Sequence, residues 1–202
     1  MQTRIRKDLK MNKGALIIVS GPSGSGKDTV LKELFKLMPE IKFSISSVSR
    51  AMREGEIQGE KYNFITREEF ESLIKEDKLL EYNVYCGNYY GTPRGPVDEA
   101  ISSGNEIVLE VDVNGAANVR KKCSDCFSVF IMPPSFEVLK NRLLGRGTES
   151  QDVIDKRLAE AKAEINRANE YDYIVVNDKL EDAVLSLKGI IEAERRKSSR
   201  CL

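Results

Sequence analysis

The stretch that decides the fold is Gly21-Pro22-Ser23-Gly24-Ser25-Gly26-Lys27. The apolar residues before it, 15–20, predict a buried strand. The residues after it place Leu31, Leu34 and Phe35 at helical spacing and predict an amphipathic helix. Strand, glycine-rich turn and helix in this order are typical of a phosphate-binding loop, and the G-x-x-x-x-G-K spacing is its signature.

The chemistry of this loop follows from its residue types. Glycines allow successive backbone N–H groups to point at one anion, and the N-terminus of the following helix adds partial positive charge. Lys27 adds a point charge that can reach the outer phosphates of a nucleotide. The alternative is a glycine-rich turn that only connects the strand to the helix.

Asp28 departs from the usual pattern of such loops. Ser or Thr normally stands at this position and offers a hydroxyl to Mg²⁺. Thr29 is the adjacent substitute, and we expect it to be the metal ligand. We expect Asp28 to favour the positive N-terminus of the helix. Direct ligation of Mg²⁺ by the Asp28 carboxylate is the alternative.

Composition limits the class of protein and its partners. The chain has 202 residues, 41% of them hydrophobic, which suits one domain with or without an inserted lobe. Lys+Arg and Asp+Glu both number 32, and this balance argues against a nucleic-acid polymer as partner. No apolar run is long enough to span a membrane, and no signal-peptide pattern is present. We therefore expect no membrane partner, a cytoplasmic location and a flexible basic tail at residues 1–13.

The cysteines give a weak signal. Cys123 and Cys126 have the spacing of a metal-binding knuckle, but the sequence contains no second pair and no histidine. A redox pair is normally found where a strand turns into a helix, whereas this pair precedes a predicted strand. We expect reduced thiols in a loop.

The rest of the sequence alternates strands and helices around one irregular region. Further strands are predicted over 41–46, 62–65, 79–85, 107–112, 127–132 and 173–177, with a tyrosine-rich turn at 87–92. Further helices are predicted over 93–103, 151–169 and 181–195, after the capping box formed by Thr66 and Glu69, and after Ser135.

This order predicts an α/β fold with a parallel sheet flanked by helices. The core is expected to comprise residues 14–45, 93–134 and 170–202. A small mixed β lobe at 46–92 is inserted into it, and residues 135–169 are expected to form a helical lid.

Charged residues mark candidate binding positions. Residues 46–56 have no regular period and carry Arg50 and Arg53, which suits a loop around an anion; a solvated charged loop is the alternative. Glu110 and Asp112 end a buried strand, where ligands of open α/β sheets bind, and are candidates for the Mg²⁺ or substrate shell. A structural acid that caps the next helix is the alternative.

These motifs together resemble the guanylate kinase family, whose members transfer the γ-phosphate of ATP to GMP. The resemblance runs over residues 14–195, nearly the whole chain. It depends on the phosphate loop, on Arg50-x-x-Arg53-x-Gly55-Glu56, on Gly87-Asn88-Tyr89-Tyr90-Gly91, and on blocks at 109–112, 146–149 and 176–178. The tyrosine block combined with the two-arginine loop is the most specific part. The resemblance implies a P-loop NTPase-type fold.

The resemblance also implies ligands and roles for individual residues. Mg²⁺ is the expected cofactor, ATP and GMP are the expected small-molecule partners, and the chain is a monomer or homodimer. ATP would be bound by residues 21–29 and Asn177, and the GMP phosphate by Arg50, Arg53, Tyr62 and Tyr90. Guanine would be bound by Ser46, Glu81, Thr92 and Asp112. The implied catalytic residues are Lys27, Arg50, Arg142, Arg146 and Arg157.

The chemistry of these residue types agrees with the implied roles. An arginine fork suits a phosphate dianion, and a carboxylate suits the N1–H and N2–H donors of guanine. Besides Asp28, the sequence departs from the family at Val48 and Met52, where threonine and proline are common.

Two alternative functions remain open from the sequence. A non-catalytic peptide-binding module of the same fold would be expected to lack the phosphate loop or the acceptor residues. A related kinase that acts on another phosphorylated acceptor would not need a guanine-binding carboxylate such as Glu81.

Overall fold

The computed structural model describes residues 14–123, 125–145 and 151–201, and the tail predicted at 1–13 lies outside this part of the chain. The strands are β1 (Leu16–Ser20), β2 (Lys42–Phe43), β3 (Ser46–Val48), β4 (Tyr62–Phe64), β5 (Leu79–Tyr85), β6 (Asn88–Pro93), β7 (Ile107–Glu110), β8 (Cys126–Met132) and β9 (Tyr173–Val176). The helices are α1 (Lys27–Leu37), α2 (Arg67–Lys75), α3 (Arg94–Ser102), α4 (Val113–Lys122), α5 (Phe136–Leu144), α6 (Gln151–Ile165), α7 (Leu180–Arg195) and α8 (Ser198–Cys201). A 3-10 turn, Ala168–Glu170, precedes β9.

A five-stranded parallel sheet in the order β2-β7-β1-β8-β9 carries the phosphate loop. Helices cover both faces of its central strand β1, which is buried over its whole length, and this explains the unbroken apolar run. Alternate residues of β1 enter opposite layers. Ile17 and Val19 pack with residues of α1 and α7, whereas Leu16 and Ile18 pack with residues of α3 and α4. The predicted strand–loop–helix unit and the parallel sheet are confirmed.

A second, mixed sheet has the strand order β4-β3-β6-β5, and its strands come after β1, α1 and β2 in the chain. β3 pairs parallel to β4 and antiparallel to β6, and β5 and β6 form a hairpin. Helix α2 contributes the fully buried Phe70, whose ring stacks on Tyr89 of β6 at a centroid distance of 5.0 Å. This small aromatic core holds the second sheet together.

Two sequence-based predictions in this region are wrong. The tyrosine-rich turn predicted at 87–92 is mostly strand β6, and the turn itself is confined to Cys86 and Gly87, both with positive φ. Two such residues form the tight hairpin turn that matches strand twist, so the tyrosines that follow can pair with β5.

The prediction of a single strand at 41–46 is also wrong, because this segment is divided between the two sheets. β2 pairs with β7 in the parallel sheet, and the chain then crosses to pair as β3 in the mixed sheet. Local alternation of apolar residues does not show a change of partner sheet. The irregular stretch predicted at 46–56 accordingly begins with a strand.

Helix boundaries follow the predicted capping residues. Thr66 and Glu69 form a complete capping box at the start of α2, and the Ser135 hydroxyl accepts a hydrogen bond from the Val138 N–H at the start of α5. Gly104, with a φ of 77°, follows the end of α3. Among the described residues we find no helix with the length and apolar character needed to cross a bilayer.

Candidate functional site

The phosphate loop leaves β1 at Ser20 and enters α1 at Lys27. Gly26 precedes the helix with a φ of 86°, and a side chain there would collide with the Asn177 amide. Gly21 also has positive φ, and a Cβ on it would collide with the Ile131 carbonyl on the neighbouring strand. The loop therefore needs glycine at both positions for backbone conformation and for space.

The Lys27 side chain folds back over its own loop. Its ammonium Nζ donates to the Gly21 carbonyl at 2.6 Å and is 3.4 Å from the Pro22 carbonyl. Both acceptors are neutral backbone oxygens. A bound phosphate, being charged, would compete well for the same ammonium.

The Ser25 carbonyl fastens the loop to the end of β9 and to α5. It accepts hydrogen bonds from Asn177 Nδ2 at 2.8 Å and from Arg142 Nη1 at 3.3 Å. Arg142 Nη2 also donates to the Asn177 carbonyl at 3.0 Å. Arg142 and Asn177, both predicted to act on ATP, thus support the loop by hydrogen bonds to the same carbonyl, that of Ser25.

A cavity of about 340 Å³ opens between the loop and the start of α7. Its lining residues are Gly24, Gly26, Thr29, Arg142, Asn177, Asp178 and Leu180. Its volume is within the range of small-ligand pockets. Thr29 faces this cavity, whereas Asp28 faces the mixed sheet, where its Oδ1 accepts a hydrogen bond from Lys61 Nζ at 2.7 Å.

The two-arginine loop brings arginine, tyrosine and glutamate side chains together in one cluster. The Arg50 guanidinium makes two hydrogen bonds of 2.6 Å to the Glu56 carboxylate, and its Nε donates to the Tyr90 hydroxyl at 3.2 Å. The same guanidinium lies 5.5 Å from the Tyr62 ring centroid. These hydrogen bonds lower the pKa of Glu56 to about 2. Glu56 therefore stays ionised and occupies the arginine fork.

Arg53 lies at the exposed edge of the same loop. Its backbone N–H donates to Glu56 Oε2 at 2.8 Å. Of the four residues predicted to bind the GMP phosphate, the structure thus clusters Arg50, Tyr62 and Tyr90, and Arg53 joins through its main chain. Glu56 ends the motif Arg50-x-x-Arg53-x-Gly55-Glu56, but the sequence alone does not indicate that it pairs with Arg50.

Glu81 and Thr92 form a buried polar pair between β5 and β6. The Thr92 hydroxyl donates to Glu81 Oε1 at 2.7 Å, and both side chains are buried. Burial, aided by the negative charge of Asp112, raises the pKa of Glu81 to about 7. Ser46, also predicted to contact guanine, is half-buried on β3 of the same sheet.

Gly115 in α4 gives the Glu81 carboxyl the space it occupies. A Cβ on Gly115 would lie 3.0 Å from Glu81 Oε2. The sequence alone does not predict a role for Gly115 in the site. A glycine in the first turn of a helix that faces the second lobe is the signal that could have indicated a close approach.

Asp112 caps α4 and also contacts the mixed sheet. Its Oδ1 accepts hydrogen bonds from the backbone N–H groups of Asn114 and Gly115, at 2.9 and 2.7 Å. Its Oδ2 accepts from Asn83 Nδ2 at 3.2 Å. The capping alternative is therefore correct, and one oxygen still points toward the predicted guanine site. Asn83, two residues after Glu81 on the same face of β5, was not identified from the sequence.

Helix α6 brings charged residues near the phosphate loop and the mixed sheet. Glu164 on α6 is close enough to Lys27 and Asp112 to interact with both charges, and burial raises its pKa. Arg157, about two turns closer to the start of α6, interacts electrostatically with the Tyr85 phenol at the end of β5. Arg146, the third arginine predicted in the lid, lies outside the described residues.

Three of the four cysteines have described side chains, and none of these three lines the cavity beside the phosphate loop. Cys123 follows α4, Cys126 begins β8, and both thiols are reduced, as is that of Cys86. We find no cluster of three or more metal-binding side chains of the His, Cys, Asp and Glu types within the described ranges.

Comparison with known proteins gives one consistent family. The family model described as guanylate kinase matches residues 13–194. A guanylate kinase of Desulfitobacterium hafniense is 45% identical over 192 residues, 95% of this chain and 96% of its own length. One of Clostridium tetani is 48% identical over 190 residues, 94% and 91% of the two chains. The crystal structure of guanylate kinase from Anaplasma phagocytophilum superposes with a TM-score of 0.79 at 31% identity, covering 96% of this chain and 92% of that one.

Proposed function

The chain belongs to the guanylate kinase family, and from this premise we propose how its own residues carry out the reaction. The reaction is transfer of the γ-phosphate of ATP to GMP, which gives ADP and GDP. The observation that carries the assignment of sites is their combination in one molecule. A phosphate loop with its lysine lies on the parallel sheet, and an arginine–tyrosine cluster and a buried carboxyl belong to the mixed sheet.

The donor site is the phosphate loop and the cavity beside it. Lys27 leaves the two loop carbonyls and binds the outer phosphates of ATP, where it neutralises charge that develops during transfer. The nucleoside occupies the cavity that Asn177 lines. Because Asn177 Nδ2 already supports the Ser25 carbonyl, its remaining amide oxygen is the atom available to an adenine amino group.

Oxygen atoms on either side of the first turn of α1 are of the kind that Mg²⁺ prefers. They are the Thr29 hydroxyl on the side of the cavity and the carboxylates of Asp28 and Glu110 on the side of Lys61. We assign Thr29 as the protein ligand, since both carboxylates are engaged by Lys61. When bound with ATP, the ion neutralises phosphate charge.

The acceptor phosphate binds in the arginine–tyrosine cluster. GMP must take the Arg50 fork from Glu56, or share it, since two bidentate partners cannot occupy the same edge. Tyr62 and Tyr90 stand beside that fork and supply hydroxyl donors. Arg53, exposed and charged, folds onto the phosphate when it arrives.

The guanine base binds next to Glu81. In its ionised form this carboxylate accepts hydrogen bonds from N1–H and N2–H, while Ser46 and Thr92 offer hydroxyls and Asp112 offers its Oδ2 side. A proton on Glu81 removes one acceptor. Since the pKa of Glu81 is about 7, this carboxyl is half protonated near neutral pH until GMP binds.

The chemical step needs alignment and charge neutralisation rather than a base. The acceptor oxygen of GMP is already an anion, so no side chain has to remove a proton from it. We assign Arg142 and Arg157 to the phosphates in the closed state, and closure excludes water that would otherwise accept the phosphoryl group.

A coupled assay of ADP formation with GMP, AMP, dTMP and CMP as alternative acceptors tests this function. We expect ADP and GDP with GMP, and little turnover with the other three nucleotides. Folded protein that forms no ADP with GMP would contradict the assignment of both sites.

A further inference from the structure

Lys61 joins the mixed sheet to the phosphate-loop helix. Its ammonium Nζ lies 2.7 Å from Asp28 Oδ1 and 3.5 Å from Glu110 Oε2. Lys61 immediately precedes β4, Asp28 belongs to the first turn of α1, and Glu110 ends β7. One cation from the second lobe thus contacts two acids of the core.

The positions of these residues in the chain give the contact its meaning. Asp28 immediately follows Lys27, which binds the donor phosphates in the proposed reaction, and Lys61 immediately precedes Tyr62 of the acceptor cluster. The side chains of Lys61, Asp28 and Glu110 also line a groove of about 240 Å³ between α1 and the edge of the parallel sheet. The ion cluster therefore joins a direct sequence neighbour of the donor site to a direct sequence neighbour of the acceptor cluster.

Without Lys61, the two carboxylates would be a liability at a phosphate site. The oxygens of both acids lie within 3.5 Å of the Lys61 ammonium. Negative charge at this point repels the phosphates of both nucleotides.

We infer that Lys61 is a positioning residue for phosphoryl transfer, which neutralises Asp28 and Glu110 and holds the acceptor lobe against the phosphate-loop helix. This inference rests on the proposed function of the two sites. It also explains why an acid, Asp28, can stand where Ser or Thr is usual. Lys61, 33 residues away in sequence, neutralises the carboxylate and so makes it compatible with ATP. The partner comes from the inserted lobe, so donor and acceptor sites are coupled through it.

A purely structural ion pair would behave differently. The side chains of Lys61 and Asp28 are 44% and 69% exposed, and pairs as exposed as this one contribute little to folding stability. Removal of Lys61 should consequently leave the protein folded. What changes is the charge that an incoming nucleotide meets.

The test compares Lys61→Met with Lys78→Met. Both substitutions keep the aliphatic stem and remove one exposed positive charge from the same lobe, but Lys78 pairs with Glu76, away from the loop. Calorimetric titration with ATP in Mg²⁺ and with GMP gives both affinities, and melting temperatures report folding. We expect Lys61→Met to weaken ATP binding about fivefold, the scale of a partly exposed ion pair, and Lys78→Met to leave it unchanged.

Two further variants separate neutralisation from packing. Lys61→Arg should restore affinity, since it restores the charge. In an Asp28→Ser background, Lys61→Met should weaken ATP binding by no more than about twofold, because one of the two acids has gone. The effects of the two substitutions should therefore not add.

Several results would overturn the inference. One is equal ATP affinity for Lys61→Met and Lys78→Met, and another is the same loss with and without Asp28. A lower Mg²⁺ requirement in Lys61→Met would mean that Asp28 and Glu110 are metal ligands that Lys61 merely blocks. If the wild-type protein does not phosphorylate GMP, the proposed function fails whatever these variants show. If it does and Lys61→Met matches Lys78→Met, only the role of Lys61 fails.

Discussion

The donor and acceptor sites are built from different materials. The donor site is main chain on a buried parallel sheet, with glycines where side chains would collide and a lysine that contacts neutral carbonyls. The acceptor site is made of side chains on a small, partly exposed sheet, and its charges already have partners, such as Glu56 on Arg50. The backbone of the donor site is therefore preformed and its Lys27 ammonium leaves only neutral carbonyls, whereas GMP must replace charged interactions that the acceptor site makes with itself.

This difference predicts which substitutions affect which property. Changes in the donor loop should reduce turnover, because its charge acts on the transferring group. Changes in the acceptor lobe should alter GMP affinity, base choice and pH dependence, because they act on a site that exchanges partners.

The largest expected effect concerns base choice by the acceptor site. Adenine lacks the N1–H and N2–H donors, so AMP would offer the buried Glu81 carboxylate no donor beyond the Thr92 hydroxyl. A site of this kind can reject such an analogue by about 10⁴-fold or more in kcat/KM. We expect GMP to exceed AMP by that order, with IMP between them. Competition assays with the three nucleotides measure the ratios.

Glu81→Gln tests whether that selectivity comes from this residue. Glutamine replaces one acceptor oxygen with a donor, so GMP use should fall sharply and the gap to AMP should narrow. If Glu81 only supports the fold through Thr92, the variant should melt at a lower temperature but keep its GMP-to-AMP ratio.

On the donor side, Lys27→Ala should lower kcat by about 10²-fold or more, the scale for one lost transition-state partner. Lys36→Ala is a matched control, since Lys36 lies on the same helix and pairs with Glu33 at the surface. Steady-state rates at saturating ATP and GMP give the comparison. Near-normal turnover in Lys27→Ala would mean that the donor site is misassigned.

Arg53→Ala should separate the two sites by affinity. Loss of a charged contact to the GMP phosphate costs roughly 1.5–3 kcal/mol, which is about 10- to 150-fold in Kd, while ATP affinity should be unchanged. Arg67→Ala, on helix α2 of the same lobe, controls for loss of an exposed arginine that pairs with Glu71. Calorimetry that shows equal weakening of both nucleotides by Arg53→Ala would place this arginine elsewhere.

Asp28→Ser should have the smallest effect. It restores the hydroxyl usual at this position and removes an acid that Lys61 neutralises, so kcat should stay within about threefold of wild type. A titration of activity against Mg²⁺ checks the metal role. A large rise in the Mg²⁺ requirement would assign Asp28, rather than Thr29, as ligand.

Sequence-local features of the molecule were predictable. The strand, loop and helix from Leu16 to Leu37 are contiguous and combine an apolar run, glycines and helical spacing, each of which has one physical explanation. The capping box at Thr66 is similarly local. Local signals agree with the tertiary structure at these places.

Features that depend on distant partners were not predictable. The division of 41–46 between two sheets depends on which strands are available to pair, and β6 was mistaken for a turn because its tyrosines follow a glycine. The partners of Asp28 and Asp112 are 33 and 29 residues away in sequence. A single sequence does not indicate such pairs, so the site residues were found through the family motifs and their partners were not.

The titration of Glu81 tests the contrast between the preformed donor site and the acceptor site, whose groups already interact with one another. Burial raises its pKa from 4.5 to about 7, so in the folded protein the carboxyl keeps a proton that the unfolded chain releases over that range. The free energy of unfolding should therefore fall as pH rises through this window. GMP binding requires the ionised form, so GMP affinity should rise as pH increases from 6 to 8.

The most direct measurement is the number of protons released on GMP binding at pH 7, obtained by calorimetry in buffers of different ionisation enthalpy. A carboxyl with a pKa of about 7 that becomes fully ionised releases about 0.5 proton. The phosphate of GMP, with a second pKa near 6, adds only about 0.1. We predict about 0.6 proton for the wild type and about 0.1 for Glu81→Gln, with GMP affinity rising about tenfold more between pH 6 and 8 in the wild type. Equal proton release by the two proteins would contradict a site that gives up its own proton to bind guanine.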